Sequence, residues 1–233
     1  RWLPALSRLL PADRFFTEDA FEPADIDIAL VGSPKPGIVG RLDNLKLVQS
    51  LWMGVDGLLA DAAFPRNRPL ARLIDPGMVA AMVESVTAHV LDYHRHHHVY
   101  RAQQAERKWH RLPQHMAADR TVGILGMGEL GTAVAGTLKG FGFNIAGWKR
   151  RSARLPGIDC YSGTEGINAL LGRAQIVVSL LPLTPETRGI LNAAAFARMP
   201  RGGCVINVAR GPQIVNADLL AALDSGQLAH AYL

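Results

Sequence analysis

The sequence predicts an α/β protein built on parallel sheets, and three observations carry that prediction. From position 121 onward, short apolar segments alternate with segments of helical periodicity, as in βαβ units. A G-x-G-x-x-G motif directly follows the first of these apolar segments. The 233 residues are 48% hydrophobic and 19% charged, enough for one or two packed domains and unlike a disordered or collagen-like chain.

The second half of the chain gives the cleaner alternation. Its strand segments are almost wholly apolar, which is typical of parallel strands that are buried on both faces. The predicted strands are 122–125, 144–148, 176–180, 204–208 and 228–233, and the predicted helices are 130–140, 163–171, 192–199 and 216–225.

The first half alternates less regularly. An amphipathic pattern over the first ten residues predicts a helix, and the Pro- and Gly-rich segment 32–37 predicts a turn. The polar stretch 100–120, which contains Pro113, is the expected boundary between a first domain, 1–100, and a second, 101–233. The predicted strands are 14–16, 26–31 and 45–51, followed by a long helix over 77–98.

Composition and the chain ends narrow the functional classes. The formal net charge is +5, which indicates a nucleic acid or an anionic ligand as a candidate partner. No apolar run approaches the roughly 18 residues of a membrane span, and the first ten residues lack the zones of a signal peptide, so the cytosol is expected. Cys160 and Cys204 are too few for a disulfide framework and are expected to be buried. The chain opens within a helical pattern and ends on a strand, so we expect a piece of a longer protein.

The glycine motif predicts a dinucleotide site. Gly126 permits the tight turn, Gly128 lets a pyrophosphate approach the backbone, and Gly131 lets the helix pack on the strand. Amides at the helix start, around Met127, Glu129 and Leu130, then face the phosphates. The alternative is a glycine-rich turn that binds nothing, but the strand, turn and helix around it favour the cofactor site.

The end of the next strand indicates which dinucleotide. An NAD site usually has Asp or Glu there, about 20 residues beyond the glycines, to bind the ribose hydroxyls. Here the sequence has Lys149, Arg150, Arg151 and Ser152, with no carboxylate. Such a cluster suits the extra phosphate of NADP (NADPH), with NAD less favoured, although a solvated loop is the simpler alternative.

A histidine cluster offers a weaker signal. His94 shares a helix face with His97 or His98, a spacing that can bind zinc, but no nearby Cys or carboxylate pair completes a site. We interpret the cluster, with His96, as part of a solvated polar helix or an oligomer contact, and we predict no metal. His89 is expected to be packed, whereas His110, His115 and His230 have no evident partner in the sequence.

Together these residues resemble the D-2-hydroxyacid dehydrogenases, most closely their NADP-dependent glyoxylate/hydroxypyruvate reductase branch. The segment 51–57 (LWMGVDG) is similar to the family's substrate loop, and 82–85 to the start of its interdomain helix. The segments 179–191 and 205–212 are similar to those lining the nicotinamide side of the cofactor groove, and 218–226 to the helix that follows. The resemblance covers nearly the whole chain.

The resemblance implies a fold, a reaction and site residues. It implies a doubly wound Rossmann domain and a smaller flavodoxin-like substrate domain, both incomplete in this chain, with a homodimer as the usual assembly. Arg210 is then the catalytic, substrate-binding Arg, and backbone amides near Gly54 and Val55 hold the substrate carboxylate beside Trp52 and Met53. The remaining cofactor contacts implied are Leu181, Pro182, Thr187, Val208 and Ala209.

Two departures from the family limit this implication. The chain ends just where the family continues with its catalytic Glu and His, so turnover by these 233 residues alone is not expected. The bulk of Trp52 and Met53 at the substrate loop leaves the preferred acid open.

The sequence therefore leaves two functional classes open. The first is an NADPH-dependent reductase of small 2-oxo acids such as glyoxylate and hydroxypyruvate. The second is a non-catalytic dinucleotide-sensing binding protein on the same fold, similar to the C-terminal-binding-protein corepressors. A nucleic-acid binder ranks third, because the cations divide between one loop and one helix and no aromatic residues are interleaved with them.

Overall fold

A computed structural model describes residues 2–17, 21–151 and 154–233. The chain divides into two compact units, Arg1–Ile74 and Asp75–Leu233. Among the described residues, no helix has the length and apolar character needed to cross a bilayer.

The first unit is a small parallel sheet with two short helices. Its sheet has the order β1-β2-β3, with all neighbours parallel. A core of buried residues packs around it, including Val39, Leu45, Val48 and Phe64. In chain order the elements are α1 (Leu3–Leu9), β1 (Ile28–Val31), β2 (Leu47–Ser50), α2 (Asp56–Ala60) and β3 (Leu70–Arg72).

The predictions for this unit are only partly confirmed. The strands expected at 26–31 and 45–51 are present in shortened form as β1 and β2, and the amino-terminal helix is α1. The strand predicted at 14–16 is wrong: the Arg14 guanidinium lies over the Phe16 ring instead, 5.0 Å from its centroid, in irregular backbone. β3 was not predicted, because three residues are too few to show an alternating pattern.

The second unit is a six-stranded, all-parallel sheet with helices on both faces. The strand order is β6-β5-β4-β7-β8-β9, so the chain starts in the middle of the sheet, builds outward to one edge and then to the other. This is the order of a Rossmann fold, whose direction of winding reverses between β4 and β7. The helices are α3 (Pro76–His94), α4 (His97–Ala105), α5 (Glu129–Gly140), α6 (Gly163–Leu171), α7 (Ala193–Arg198) and α8 (Asn216–Asp224), and the strands are β4 (Thr121–Leu125), β5 (Asn144–Trp148), β6 (Asp159–Tyr161), β7 (Ile176–Ser179), β8 (Gly203–Asn207) and β9 (Leu228–Tyr232).

Alternate residues of each strand fill two separate cores. In β7, Ile176 and Val178 join the core on one face, whereas Val177 joins the core on the other. Both faces are therefore buried, as the apolar runs predicted. The strands and helices predicted after position 121 are confirmed within two residues at each end, and only the three-residue edge strand β6 was not predicted.

The division between the units falls after Ile74, not near position 100 as the sequence suggested. The long helix α3 explains the difference, because it packs on α5 and β8 of the second unit. Its residues Val86, Val90 and Tyr93 are buried in the same core as β4 and α5.

The helix predicted over 77–98 is also interrupted. α3 ends at His94, and His96 has a φ of 58°, a left-handed conformation that an α-helix cannot contain. The ring nitrogen Nε2 of His96 lies 3.1 Å from the Pro113 carbonyl oxygen. A separate helix, α4, then begins at His97.

Candidate functional site

The glycine turn between β4 and α5 has the shape that a dinucleotide needs. Gly126 has a φ of 106°, and a Cβ there would lie 2.9 Å from the carbonyl carbon and oxygen of Leu180. A Cβ on Gly131 would overlap the carbonyl oxygen of Gly126, so only glycine lets α5 pack this closely. These two positions are constrained by the protein itself.

Gly128 is different, because among the described residues no atom other than those of its chain neighbours lies within 4 Å of the position its Cβ would take. It precedes α5, whose start has no side-chain cap, so the first amides of the helix, those of Glu129 and Leu130, face outward. An open position beside uncapped helix amides fits a pyrophosphate. The site can therefore hold a dinucleotide.

The side chain of Met127 has another role. It is buried, and a Cβ on Gly147 would come within 2.8 Å of its sulfur. Its amide, like that of Gly126, donates to the Trp148 carbonyl, at 3.3 Å. Met127 thus ties the glycine turn to the end of β5.

The cationic loop follows β5 directly. Lys149, Arg150 and Arg151 are exposed, and Ser152 lies outside the described residues. The Lys149 amide donates to the Tyr161 carbonyl at 3.0 Å, which anchors the start of the loop on β6. The pKa of Glu186 is lowered, first by a hydrogen bond from Thr184 and to a lesser degree by the charge of Arg150. The loops after β5 and β7 therefore interact electrostatically.

The loop after β7 is held by internal hydrogen bonds. Thr187 is buried, and its hydroxyl donates to the Pro182 carbonyl at 2.7 Å and accepts from the Thr184 amide at 2.8 Å. Leu181 is buried in the core. Thr187 therefore shapes this loop, whose backbone at Leu181 and Pro182 lies at the carboxyl end of the sheet.

Arg210 projects from a tight turn at the end of β8. Asn207, which is buried, accepts a hydrogen bond from the Ala209 amide at 3.2 Å and donates to the Arg210 carbonyl at 3.0 Å. The guanidinium is exposed, and one of its nitrogens donates to the Ala209 carbonyl at 3.0 Å. The residues Asn207 to Gly211, with Asn216, line a pocket of about 360 Å³. The turn thus presents a cation and polar groups to a ligand-sized space.

Gln213 was not predicted, and it connects the Arg210 turn to the loop after β7. It is fully buried, accepts a hydrogen bond from the Ser179 hydroxyl at 2.7 Å, and donates to the Leu181 carbonyl at 2.8 Å. No motif in the sequence marks it, because a glutamine in a loop ordinarily indicates exposure.

The expected substrate loop lies in the first unit, after β2. Gly54 is exposed and Val55 half-buried, while the Ser50 hydroxyl accepts from the Trp52 amide at 3.1 Å and donates to its carbonyl at 3.0 Å. Arg72, which was not predicted, donates to the Met53 carbonyl at 3.2 Å.

The side chains of this loop correct one expectation. Met53 is buried, whereas the Trp52 side chain is 54% exposed, so only Trp52 presents bulk to a ligand. The Trp52 indole nitrogen lies near Gly32, 3.1 Å from where a Cβ would stand.

Of the two interpretations of the histidine cluster, the solvated helix is wrong for His94 although His97 is exposed, and the oligomer contact stays a prediction. His94 is buried against the Phe143 ring, with centroids 4.9 Å apart, and burial lowers its pKa to about 4. The ring of His230, for which no partner was expected, packs against the His98 ring with the centroids 4.6 Å apart and the planes tilted by 35°. His89 packs on the Tyr232 ring at 4.4 Å, as expected.

The two cysteines, both expected to be buried, differ in their exposure. Cys204 is buried, which raises its pKa, but Cys160 is only half-buried.

Asp92 binds both Arg101 and Tyr232, and the hydrogen bond from Arg101 lowers the Asp92 pKa to about 2. Within the described ranges, no group of three His, Cys, Asp or Glu residues could hold a metal ion.

Comparison with known proteins agrees with this geometry. Residues 87–233 match the family "D-isomer specific 2-hydroxyacid dehydrogenase, NAD binding domain". A glyoxylate/hydroxypyruvate reductase A from Serratia proteamaculans (strain 568) is 40% identical over the whole chain, which spans 76% of that protein. A glyoxylate/hydroxypyruvate reductase A from Yersinia enterocolitica is 37% identical over the whole chain, which again spans 76% of that protein.

Solved structures give the same result. A D-isomer specific 2-hydroxyacid dehydrogenase from Xanthobacter autotrophicus Py2, in complex with NADPH and MES, superposes with a TM-score of 0.91 at 41% identity, over 99% of this chain and 75% of that one. An NADPH-dependent glyoxylate/hydroxypyruvate reductase from Sinorhizobium meliloti, with NADP and sulfate, gives 0.83 at 41% identity, over 90% and 67%. The chain belongs to the D-isomer specific 2-hydroxyacid dehydrogenase family of oxidoreductases.

Proposed function

We propose that this chain forms the cofactor- and substrate-binding part of an NADPH-dependent reductase that converts small 2-oxo acids, such as glyoxylate and hydroxypyruvate, to 2-hydroxy acids. The observation that carries the proposal is the open glycine turn at Gly128 beside the exposed, carboxylate-free cationic loop at Lys149 to Arg151. The relatives named as glyoxylate/hydroxypyruvate reductases support the substrate class.

The cationic loop supports NADP over NAD. A 2′-phosphate is a dianion near neutral pH, and exposed guanidinium groups can bind its oxygens through paired, charge-assisted hydrogen bonds. A carboxylate at this position would repel that phosphate, and none is present from Gly147 to Arg151. The structures bound to NADPH or NADP support the same choice.

Arg210 has the central chemical role in this proposal. NADPH, when bound, supplies the hydride. The guanidinium of Arg210 binds the carboxylate and the carbonyl oxygen of the 2-oxo acid, and its charge stabilises the negative charge that develops on that oxygen. Asn207 holds the turn that aims it. In the first unit, the backbone around Gly54 is exposed, and the family resemblance implies that its amides bind a substrate carboxylate.

The second functional class, a non-catalytic dinucleotide sensor, is not favoured by the relatives, which are named as reductases. We extend the proposal to a homodimer in the cytosol, as the family resemblance implies.

The test is an initial-rate assay of NADPH oxidation by the full-length protein, with glyoxylate, hydroxypyruvate and acetone as substrates. The expected result is turnover with both 2-oxo acids and none with acetone, which lacks the carboxylate that Arg210 binds. Tight NADPH binding without turnover of any 2-oxo acid would support the sensor instead.

A further inference from the structure

Gln213 occupies an unusual place for an uncharged polar side chain. It is fully buried, with none of its surface accessible, at the end of the short 3-10 turn Gly211–Gln213 that starts directly after Arg210. A buried amide that lacks hydrogen-bond partners is strongly unfavourable, so each of its polar atoms must be accounted for.

All four polar groups of Gln213 have partners. Its backbone amide donates to the Arg210 carbonyl at 3.1 Å, and its backbone carbonyl accepts from the Leu191 amide at 3.0 Å. Its side-chain amide donates to the carbonyls of Leu181 at 2.8 Å and Pro182 at 3.3 Å, while its side-chain oxygen accepts from the Ser179 hydroxyl at 2.7 Å.

These bonds join two loops that lie more than 30 residues apart in sequence. One loop carries Arg210. The other follows β7 and offers the backbone at Leu181 and Pro182, which by resemblance lines the nicotinamide side of the groove. Gln213 therefore spans the two parts of the site that must hold a fixed separation during hydride transfer.

We propose that Gln213 is a positioning residue for this reaction: its side-chain amide fixes the Arg210 turn against the backbone at Leu181 and Pro182, and so sets where the guanidinium stands relative to the nicotinamide. This inference rests on the proposed function. Gln213 itself touches neither substrate nor cofactor.

Gln213→Met tests the side-chain hydrogen bonds of Gln213, because methionine has nearly the same size and shape as glutamine but cannot donate a hydrogen bond. In the full-length protein, Gln213→Met is expected to lower kcat with glyoxylate about ten- to a hundredfold, the loss typical of a slightly misplaced catalytic group. The dissociation constant for NADPH should change less than threefold, because the glycine turn and the cationic loop are untouched.

Gln227 offers a matched control. Its side-chain amide also donates to two backbone carbonyls, those of Phe196 and Met199, both at 2.8 Å, but at the opposite end of the sheet. Gln227→Met should lower the melting temperature as Gln213→Met does and leave kcat within twofold of the wild type. An equal loss of kcat in both variants would contradict a positioning role and show that Gln213 contributes only to stability.

Gln213→Glu adds a pH dependence to the test, measured at pH values where the variant is folded by circular dichroism so that unfolding does not produce it. A protonated carboxyl can accept from Ser179 and donate to Leu181, as the amide does, whereas a carboxylate cannot donate. Burial raises a carboxyl pKa, so this variant should regain activity as the pH falls through that raised pKa, whereas Gln213→Met should not. Absence of this added ionisation would overturn the proposal.

Hydrogen exchange separates this inference from the proposed function. In Gln213→Met, amides of residues 180–187 and 208–213 should exchange faster than in the wild type, and in Gln227→Met they should not. Unchanged exchange in both segments of Gln213→Met refutes the positioning role of Gln213, even if the wild type turns out to have no reductase activity. A wild type inactive on 2-oxo acids would refute the proposed function alone.

Discussion

The backbone of Arg210 is held in place on two sides. Asn207 bonds to both sides of its turn, and Gln213 bonds the turn to the neighbouring loop. A long side chain on such a rigid base loses less freedom when it binds an anion, which suits recognition of a 2-oxo acid.

Arg210→Lys tests this residue at constant charge. A lysine ammonium cannot bind the carboxylate and the carbonyl oxygen with a planar pair of donors. We expect kcat/KM for glyoxylate to fall at least about a hundredfold, comparable to the loss of one donor that stabilises an oxyanion. The NADPH dissociation constant, measured by fluorescence, should stay the same. A variant with near wild-type kcat/KM would remove Arg210 from the reaction.

His94 predicts a pH dependence of stability in the second unit. Its folded pKa is about 4 because burial and the charge of Arg120 disfavour the imidazolium, whereas the unperturbed value is 6.5. Between these values the unfolded chain binds the extra proton, so this contribution is complete above pH 6.5 and is lost as the pH falls toward 4.

Urea unfolding of wild type and His94→Leu checks this effect. At about 1.4 kcal/mol per pH unit, wild type should lose about 2 kcal/mol more than the variant between pH 7.5 and pH 5. An equal loss in both proteins would show that His94 does not contribute to the acid sensitivity.

Arg210, Gln213 and His94 also show what the sequence can and cannot predict at this scale. The position of Arg210 just after a strand could be predicted because an apolar segment precedes it, whereas its catalytic role stays a prediction. Gln213 and His94 could not, because polar residues give no periodic signal of burial, and their partners lie 34 and 49 residues away.

At the scale of elements, the turn between β4 and α5 separates two roles of glycine. Gly131 is required by the fold, because a Cβ would overlap the Gly126 carbonyl oxygen, whereas Gly128 has open space and a φ of −94° that alanine can adopt.

Alanine at each position should therefore have a different effect. Gly131→Ala should lower the free energy of unfolding by about 2 kcal/mol or more, since the helix or the turn must shift. Gly128→Ala should change stability by less than about 0.5 kcal/mol but weaken NADPH binding tenfold or more, because the methyl group occupies the pyrophosphate position. Denaturant unfolding and NADPH titration measure the two effects. If Gly128→Ala bound NADPH normally, the pyrophosphate would have to lie elsewhere.

The strands that the sequence shows most clearly share one property. Strands of four or five apolar residues flanked by turns, such as β4 and β7, are visible in the sequence because both faces are buried. The three-residue strands β3 and β6 are too short for a pattern, and the end of α3 depends on the backbone of His96, which no propensity requires.

At the scale of the whole molecule, the parallel architecture follows from the alternation in the sequence, but the unit boundary does not. The polar stretch 100–120 resembles a linker, yet α3 before it already belongs to the second unit through its buried face. A polar stretch in the sequence indicates that a segment is exposed. The boundary between the two units depends instead on which elements pack together.

The net charge of +5 is also explained in part at this scale. Its cations include an exposed loop beside the glycine turn and Arg210 at the pocket after β8. The proposed NADPH and 2-oxo acid are both anions, so cations at these two places suit them.

The most direct test of the account is the ratio of kcat/KM for NADPH to that for NADH, measured with glyoxylate on the full-length protein. We predict a ratio of about ten to a hundred, the worth of charge-assisted hydrogen bonds to the 2′-phosphate, and a ratio near one for the double variant Arg150→Ala with Arg151→Ala. A wild-type ratio of one or less, or a ratio that the double variant leaves unchanged, would contradict the assignment of the cationic loop to NADP.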